Sequence, residues 1–239
     1  MPPYPDKHLS SQFDSELSAL STRVLEMGGM AESQVAQSVA ALVQLDVAAA
    51  DAVLGHESRL NQLDVEIDRD LSSIIARRQP TARDLRLLIA ISKTVSNLER
   101  IGDEAVRIAR AARRVVGSVE GSGGRLPLSD LSFEAGLATR QLRQALDAFA
   151  RLDTAAALQV LKADNELDQE FDGLLRKLIT YMMEDPRTIS AAIDLVFVAK
   201  AIERIGDHAK NLAEVVIYVV KGTDVRHNPI ESVESLVRR

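Results

Sequence analysis

The chain repeats itself. LERIGDEA (Leu98 to Ala105) returns as IERIGDHA (Ile202 to Ala209), so that Glu203 follows Glu99 by 104 residues. An earlier window in each half keeps the same offset of 104. There Asn61 meets Asn165, Leu63 meets Leu167, Asp64 meets Asp168, Glu66 meets Glu170, Asp68 meets Asp172 and Leu71 meets Leu175. Two windows at one spacing mean duplication, so the fold must be assembled from two copies of one unit.

The unit is helical. Phe13, Leu17, Leu20, Val24, Met27, Ala31, Val35, Val39 and Leu42 follow one another in steps of three or four, the stripe of a long amphipathic helix. Asp46 is placed to cap a second helix, with Val53, Leu60, Leu63, Ile67, Leu71 and Ile74 as its stripe and Gln79-Pro80 as its stop. Thr81, with Asp84 three residues on, is placed to cap a third helix, whose stripe is Leu88, Ile91, Val95, Leu98, Gly102, Ala105 and Ile108. Ser129 or Asp130 opens a fourth through Phe133, Leu137, Leu142, Ala145, Phe149 and Leu152. Asp153 caps a fifth that ends near Asp185-Pro186, and a sixth runs from about Thr188 to Val220 and stops at Gly222. Aromatic residues are 3% of the chain and apolar residues 46%, which suits packed helices better than strands.

The expected architecture is therefore all-α: a tandem pair of antiparallel three-helix bundles over residues 8–116 and 129–222. A Gly/Ser-rich linker at 117–128 and a polar C-terminal tail at 223–239 complete it. Gly102 and Gly206 lie inside helices, where glycine costs about 1 kcal/mol relative to alanine. Close approach of a neighbouring helix is the plainer reason for them, and shaping of a ligand site beside Asp103 and Asp207 is the other.

No apolar run is long enough to span a bilayer, Met1 to Lys7 lack a secretory signal, and there is no cysteine, so a cytoplasmic setting is expected. Net charge is −6, which argues against nucleic acid as a partner. The Arg110–Arg114 and Arg238-Arg239 clusters read as solvated helix faces or ends.

Carboxylates carry the chemistry. Each half holds two acidic pairs at i, i+4: Asp64/Asp68 and Glu99/Asp103, then Asp168/Asp172 and Glu203/Asp207. That spacing sets both acids of a pair on one helix face, just outside the apolar seam. On antiparallel neighbours the two acidic ladders meet along one groove. Two carboxylates about 6 Å apart there repel by roughly 3 kcal/mol at an effective dielectric near 20. Arg100 and Arg204 project about 100° away and are imperfect partners. Oxygen donors of this kind select a hard cation such as Mg²⁺, Mn²⁺, Ca²⁺ or iron. A merely solvated acidic face is the competing reading. His208 projects from a different face than Asp207 and reads as an ordinary histidine. No Glu-x-x-His motif and no Gly-x-x-x-x-Gly-Lys loop exists, so catalysis is disfavoured.

The doubled ERIGD, Met27-Gly-Gly-Met30, RQPTARDLRLLIAISKT (Arg78 to Thr94), YMMEDPRTI (Tyr181 to Ile189) and YVVKG (Tyr218 to Gly222) together resemble the PhoU family of bacterial phosphate-uptake regulators. The resemblance implies two pseudo-symmetric three-helix bundles. It also implies metal clusters of iron, Mg or Mn held by Asp64, Asp68, Glu99 and Asp103, and by Asp168, Asp172, Glu203 and Asp207. Its implied role is non-enzymatic: negative regulation of the phosphate-starvation response and of high-affinity phosphate uptake. Such a protein links the ATPase subunit of the phosphate ABC transporter to the sensor histidine kinase PhoR, commonly as a homodimer, and meets the membrane only through those partners. A metal-dependent enzyme using the acidic clusters and a passive helical scaffold are the alternatives.

Overall fold

A computed structural model describes residues 11–80, 82–122 and 127–238. Six long helices form two units: α1 Ser11–Gln44, α2 Val47–Arg78 and α3 Ala82–Ser122, then α4 Leu128–Arg151, α5 Thr154–Glu184 and α6 Ile189–Lys221. A single 3₁₀ turn, Pro186–Thr188, precedes α6, and a short helix, α7 Ile230–Arg238, ends the described chain. Among the described residues there is no strand.

The caps follow from the residues. Asp46 accepts a hydrogen bond from the Ala49 N–H at 3.0 Å, and Asp153 accepts from Ala155 and Ala156 at 2.9 Å each. Each of these carboxylates satisfies amide donors that the first helical turn leaves free. The candidate cap Thr81 lies outside the described residues. Gln79 turns left-handed at φ 47 to close α2 ahead of Pro80, and Gly222 does so at φ 71 to close α6.

α1 and α3 bury the stripes their spacing predicts, from Phe13 to Leu42 and from Leu88 to Ile108. α4 buries its expected Leu137, Leu142, Ala145 and Phe149, but its first turns differ: Phe133 is 53% exposed, and Leu131, Glu134, Ala138 and Gln141 are buried as well. An acid thus occupies a core slot. Two further expectations change. α3 continues through Gly117 to Ser122, over sequence that composition marks as linker; extending an existing helix avoids the nucleation cost that defeats glycine elsewhere. The polar tail is no loose end either. Val225 and Val233 are buried, and Glu234 on α7 meets Lys162 on α5 at 2.9 Å.

α3 and α6 form the central seam between the units, antiparallel to one another. Asn97 pairs with Asn211, Glu104 with Arg204, and Arg114 with Asp194, so position numbers rise on one helix as they fall on the other. α1 packs on α4 across the same boundary, where Glu32 pairs with Arg143. α2 and α5 stand outside, each packed only on helices of its own unit and, for α5, on the C-terminal turns.

The interior glycines are packing devices. A Cβ on Gly102 would sit 2.6 Å from Leu60 Cδ2 and 3.3 Å from Gln34 Oε1. A Cβ on Gly206 would meet Leu167 and Gln141 in the same way, and closer still. These contacts define the structural register of the repeat. α3 and α6 match at 104, but Leu60 and Leu167 stand 107 apart, as do Gln34 and Gln141 and the caps Asp46 and Asp153. The second helices are therefore related by one further turn than the single 104 offset implies.

Candidate metal centre

That extra turn decides which acids meet. In the first unit, α2 and α3 bring Asp64 and Glu99 together. Burial raises the Asp64 carboxyl, and Asp68 one turn on raises it further. Burial also raises Glu99, with Asp103 and Asp64 adding repulsion and Arg100 relieving it. Asp68 is solvent-exposed, on the outer end of the ladder. Arg100 Nε lies 3.5 Å from Glu99 and its Nη1 3.7 Å from Asp103, loose contacts that leave the negative charge only partly met.

In the second unit Asp168, Glu203 and Asp207 face one another with Asp164, which repels Asp168 more strongly than Asp172 does. Burial raises Asp168, followed by repulsion from Asp164 and Glu203. Burial likewise raises Asp207, followed by Glu203 and Asp164. Asp172 has a 63% exposed side chain and lies toward Arg176. At 107, Asn61 stands where Asp168 stands and Asp64 where Phe171 stands, so each unit carries an acid that the other lacks. Asp164 is buried and paired with Lys210, while Lys200 reaches Glu203 at 2.7 Å.

Sequence reasoning passed over Glu134. It is 1% exposed, and neither carboxylate oxygen has a hydrogen-bond partner. Burial pushes it up to about 8, with Glu203 and then Glu170 adding repulsion. An acid in the apolar stripe of α4, at the position of Met27 in α1, was the available signal. His208 is a neutral seam residue: burial, then Arg204 and Arg100, push it down to about 4, and its Nδ1 lies 2.9 Å from Asn97 Oδ1. Arg204 turns away from the acidic face to meet buried Glu104 at 2.9 Å.

The donor chemistry fits a hard cation: carboxylates only, partly dehydrated, and raised by one another's charge. Among the described residues no three acidic or histidine side chains close around one point, so binding an ion requires their side chains to turn inward.

A family model described as the PhoU domain matches residues 24–112 and again 133–216, once on each unit. A phosphate-specific transport system accessory protein PhoU homolog from Burkholderia sp is 49% identical over 225 residues, covering 93% of this chain and 94% of that protein. The protein named phosphate-specific transport system accessory protein PhoU in Escherichia coli (strain K12) is 44% identical over 223 residues, covering 93% and 90%. The crystal structure of PhoU from Pseudomonas aeruginosa superposes with a TM-score of 0.84 at 44% identity, covering 88% of this chain and all 100% of that one. The phosphate transport system regulatory protein PhoU from Streptococcus pneumoniae gives a TM-score of 0.81 at 26% identity, covering 89% and 99%. These relatives carry the names of accessory and regulatory proteins, not of enzymes. With two matched domains, two glycine-packed seams and near-complete coverage, the chain belongs to the PhoU family.

Proposed function

We propose that this protein is a negative regulator of the phosphate-starvation response and of high-affinity phosphate uptake. It acts in the cytoplasm as an adaptor between the ATPase subunit of a phosphate ABC transporter and a PhoR-type sensor histidine kinase, as a homodimer. The observation that carries this reading is full-length kinship, on both repeats, with proteins named as accessories of phosphate transport. No helix among the described residues is long and apolar enough to cross a membrane, which accords with a protein that reaches the bilayer through partners.

The adaptor carries metal on its acidic faces. Glu99, Asp103 and Asp64 hold it in the first unit, and Glu203, Asp207, Asp168 and Asp164 in the second, with iron, Mg²⁺ or Mn²⁺ as the ion. The ion supplies positive charge that neutralises carboxylates raised by burial and then by their own crowding. The passive-scaffold alternative leaves that crowding unrelieved.

Two measurements test the reading. Deleting the gene should switch on phosphate-starvation genes in rich phosphate, and returning it should silence them; continued silence in the deletion strain removes the regulator assignment. Elemental analysis of protein purified without chelator should find metal. Alanine at Glu203 and Asp207 should lower its content by about half, and alanine at Glu99 and Asp103 as well should abolish it, with helical content preserved by circular dichroism. Equal metal in all three proteins removes the acidic faces as its ligands.

A further inference from the structure

The acids of the second unit are graded in depth. Asp168 and Asp207 are open to solvent, the Glu203 side chain is 14% exposed, and Glu134 on α4 is 1% exposed. Glu203 links the shallow acids to the deep one. Its charge bears on Asp168 and Asp207 from one side and on Glu134 from the other. Carboxylates from α4, α5 and α6 therefore run as one file from the surface into the core. The first unit has no such file. Asp64, Glu99 and Asp103 make its outer part, and Met27, 0% exposed, fills the place that Glu134 takes in the second. Met27 and Glu134 correspond through the 107 spacing that also relates Gln34 to Gln141 on the same two helices.

Packing does not account for Glu134, because the matching helix fills the same slot with an apolar side chain. Buried acids are normally paired or hold a metal ion. Neither oxygen of Glu134 has a hydrogen-bond partner, and the charges that bear on it, Glu203 and then Glu170, are both negative. The ammonium of Lys200 is engaged elsewhere. Its side chain is 51% exposed, it meets Glu203 at 2.7 Å, and it lies 5.4 Å from the centre of the Phe171 ring.

We propose that Glu134 is an inner metal ligand peculiar to the second unit: with Glu203 it holds one hard divalent cation beneath the outer acids Asp168 and Asp207, and the place favours Mn²⁺ or Fe²⁺ over Mg²⁺. The selectivity follows from depth. Mg²⁺ dehydrates reluctantly and keeps several waters, and a carboxylate closed off from solvent offers an ion few of them. Among the described residues no three acids close on one point, so the ion gathers them by turning side chains between staggered positions. The inference rests on the reading that the acidic faces carry metal, and it makes the two faces unequal in affinity and in choice of ion.

The test isolates the second unit within the full chain. Glu99→Ala with Asp103→Ala removes the first face, and Mn²⁺ binding to chelator-stripped protein is followed by loss of the free-ion EPR signal. Adding Glu134→Gln, which keeps the size and removes the charge, should weaken Mn²⁺ about 10-fold or more, and Glu134→Met should do the same. In competition with Mg²⁺, the chain that keeps only the second face should prefer Mn²⁺ about 10-fold more strongly than a Glu203→Ala, Asp207→Ala chain that keeps only the first. Glu134→Gln should erase that difference. Thermal unfolding gives a readout that a packing role would not move: Mn²⁺ should raise the midpoint of the second-face chain more than that of its Glu134→Met derivative. Unchanged affinity and ion preference in either folded Glu134 variant overturns the inner ligand and leaves the metal-bearing faces standing. A wild-type chain that binds no Mn²⁺ overturns both.

Discussion

Glu134→Met should stabilise the protein at every pH, and most of all in alkali. Both oxygens of Glu134 are buried without partners, and the first unit carries Met27 at the matching place. Even protonated, such a carboxyl forfeits about 1–3 kcal/mol of lost hydration. Ionised, it forfeits more. Its folded value of about 8 lies above the ordinary 4.5, so between those limits the native state keeps a proton that the unfolded chain releases. Wild-type stability therefore falls as pH rises from about 4.5 to about 8 and then levels, a total of about 5 kcal/mol for a shift of this size. The methionine variant lacks that slope. Urea unfolding at pH 5, 7 and 9 measures it: the gap between variant and wild type should widen with pH. Parallel profiles, or a variant no more stable than wild type, would mean that Glu134 is hydrated or paired in solution.

Gly206→Val should have the opposite sign and a similar size, a loss of about 3 kcal/mol. A Cβ there meets the Leu167 side chain, itself 1% exposed, and Gln141 Oε1 at 2.9 Å, so both side chains must shift inside a packed core. Gly173 provides the contrast. Its added Cβ meets nothing within 4 Å, so Gly173→Ala should gain about 1 kcal/mol from helix propensity alone. Denaturant midpoints for the two variants decide the point. A Gly206→Val protein as stable as wild type would refute the close approach of α5 to α6.

Much of this was legible in the sequence. The stripes of α1 and α3 are unbroken, so the positions expected from spacing are the ones buried. Asp46 and Asp153 declare themselves as caps because nothing but a short polar side chain suits those positions. The register of the acids was not legible, for a physical reason. Asp164, Asp168 and Asp172 follow one another at four-residue steps, so sliding α5 by one helical turn exchanges one acid for another and leaves the pattern intact. Only contact with a feature that has no such period, the missing side chain at Gly206, fixes which rung meets Glu203. Phe133 misled for a related reason. A large apolar residue draws the eye to the stripe, but the backbone phase is set by Leu131, Ala138 and Leu142, and that phase turns Glu134 inward.

Copying a domain ordinarily doubles its valence: two units, two equivalent places to be bound. The segment after α6 breaks that arithmetic. By laying Asp224 and Arg226 beside Asn97, Asn211 and Tyr218, the chain covers one side of the seam between α3 and α6 with itself. A molecule that began as two equal halves is left with a front and a back.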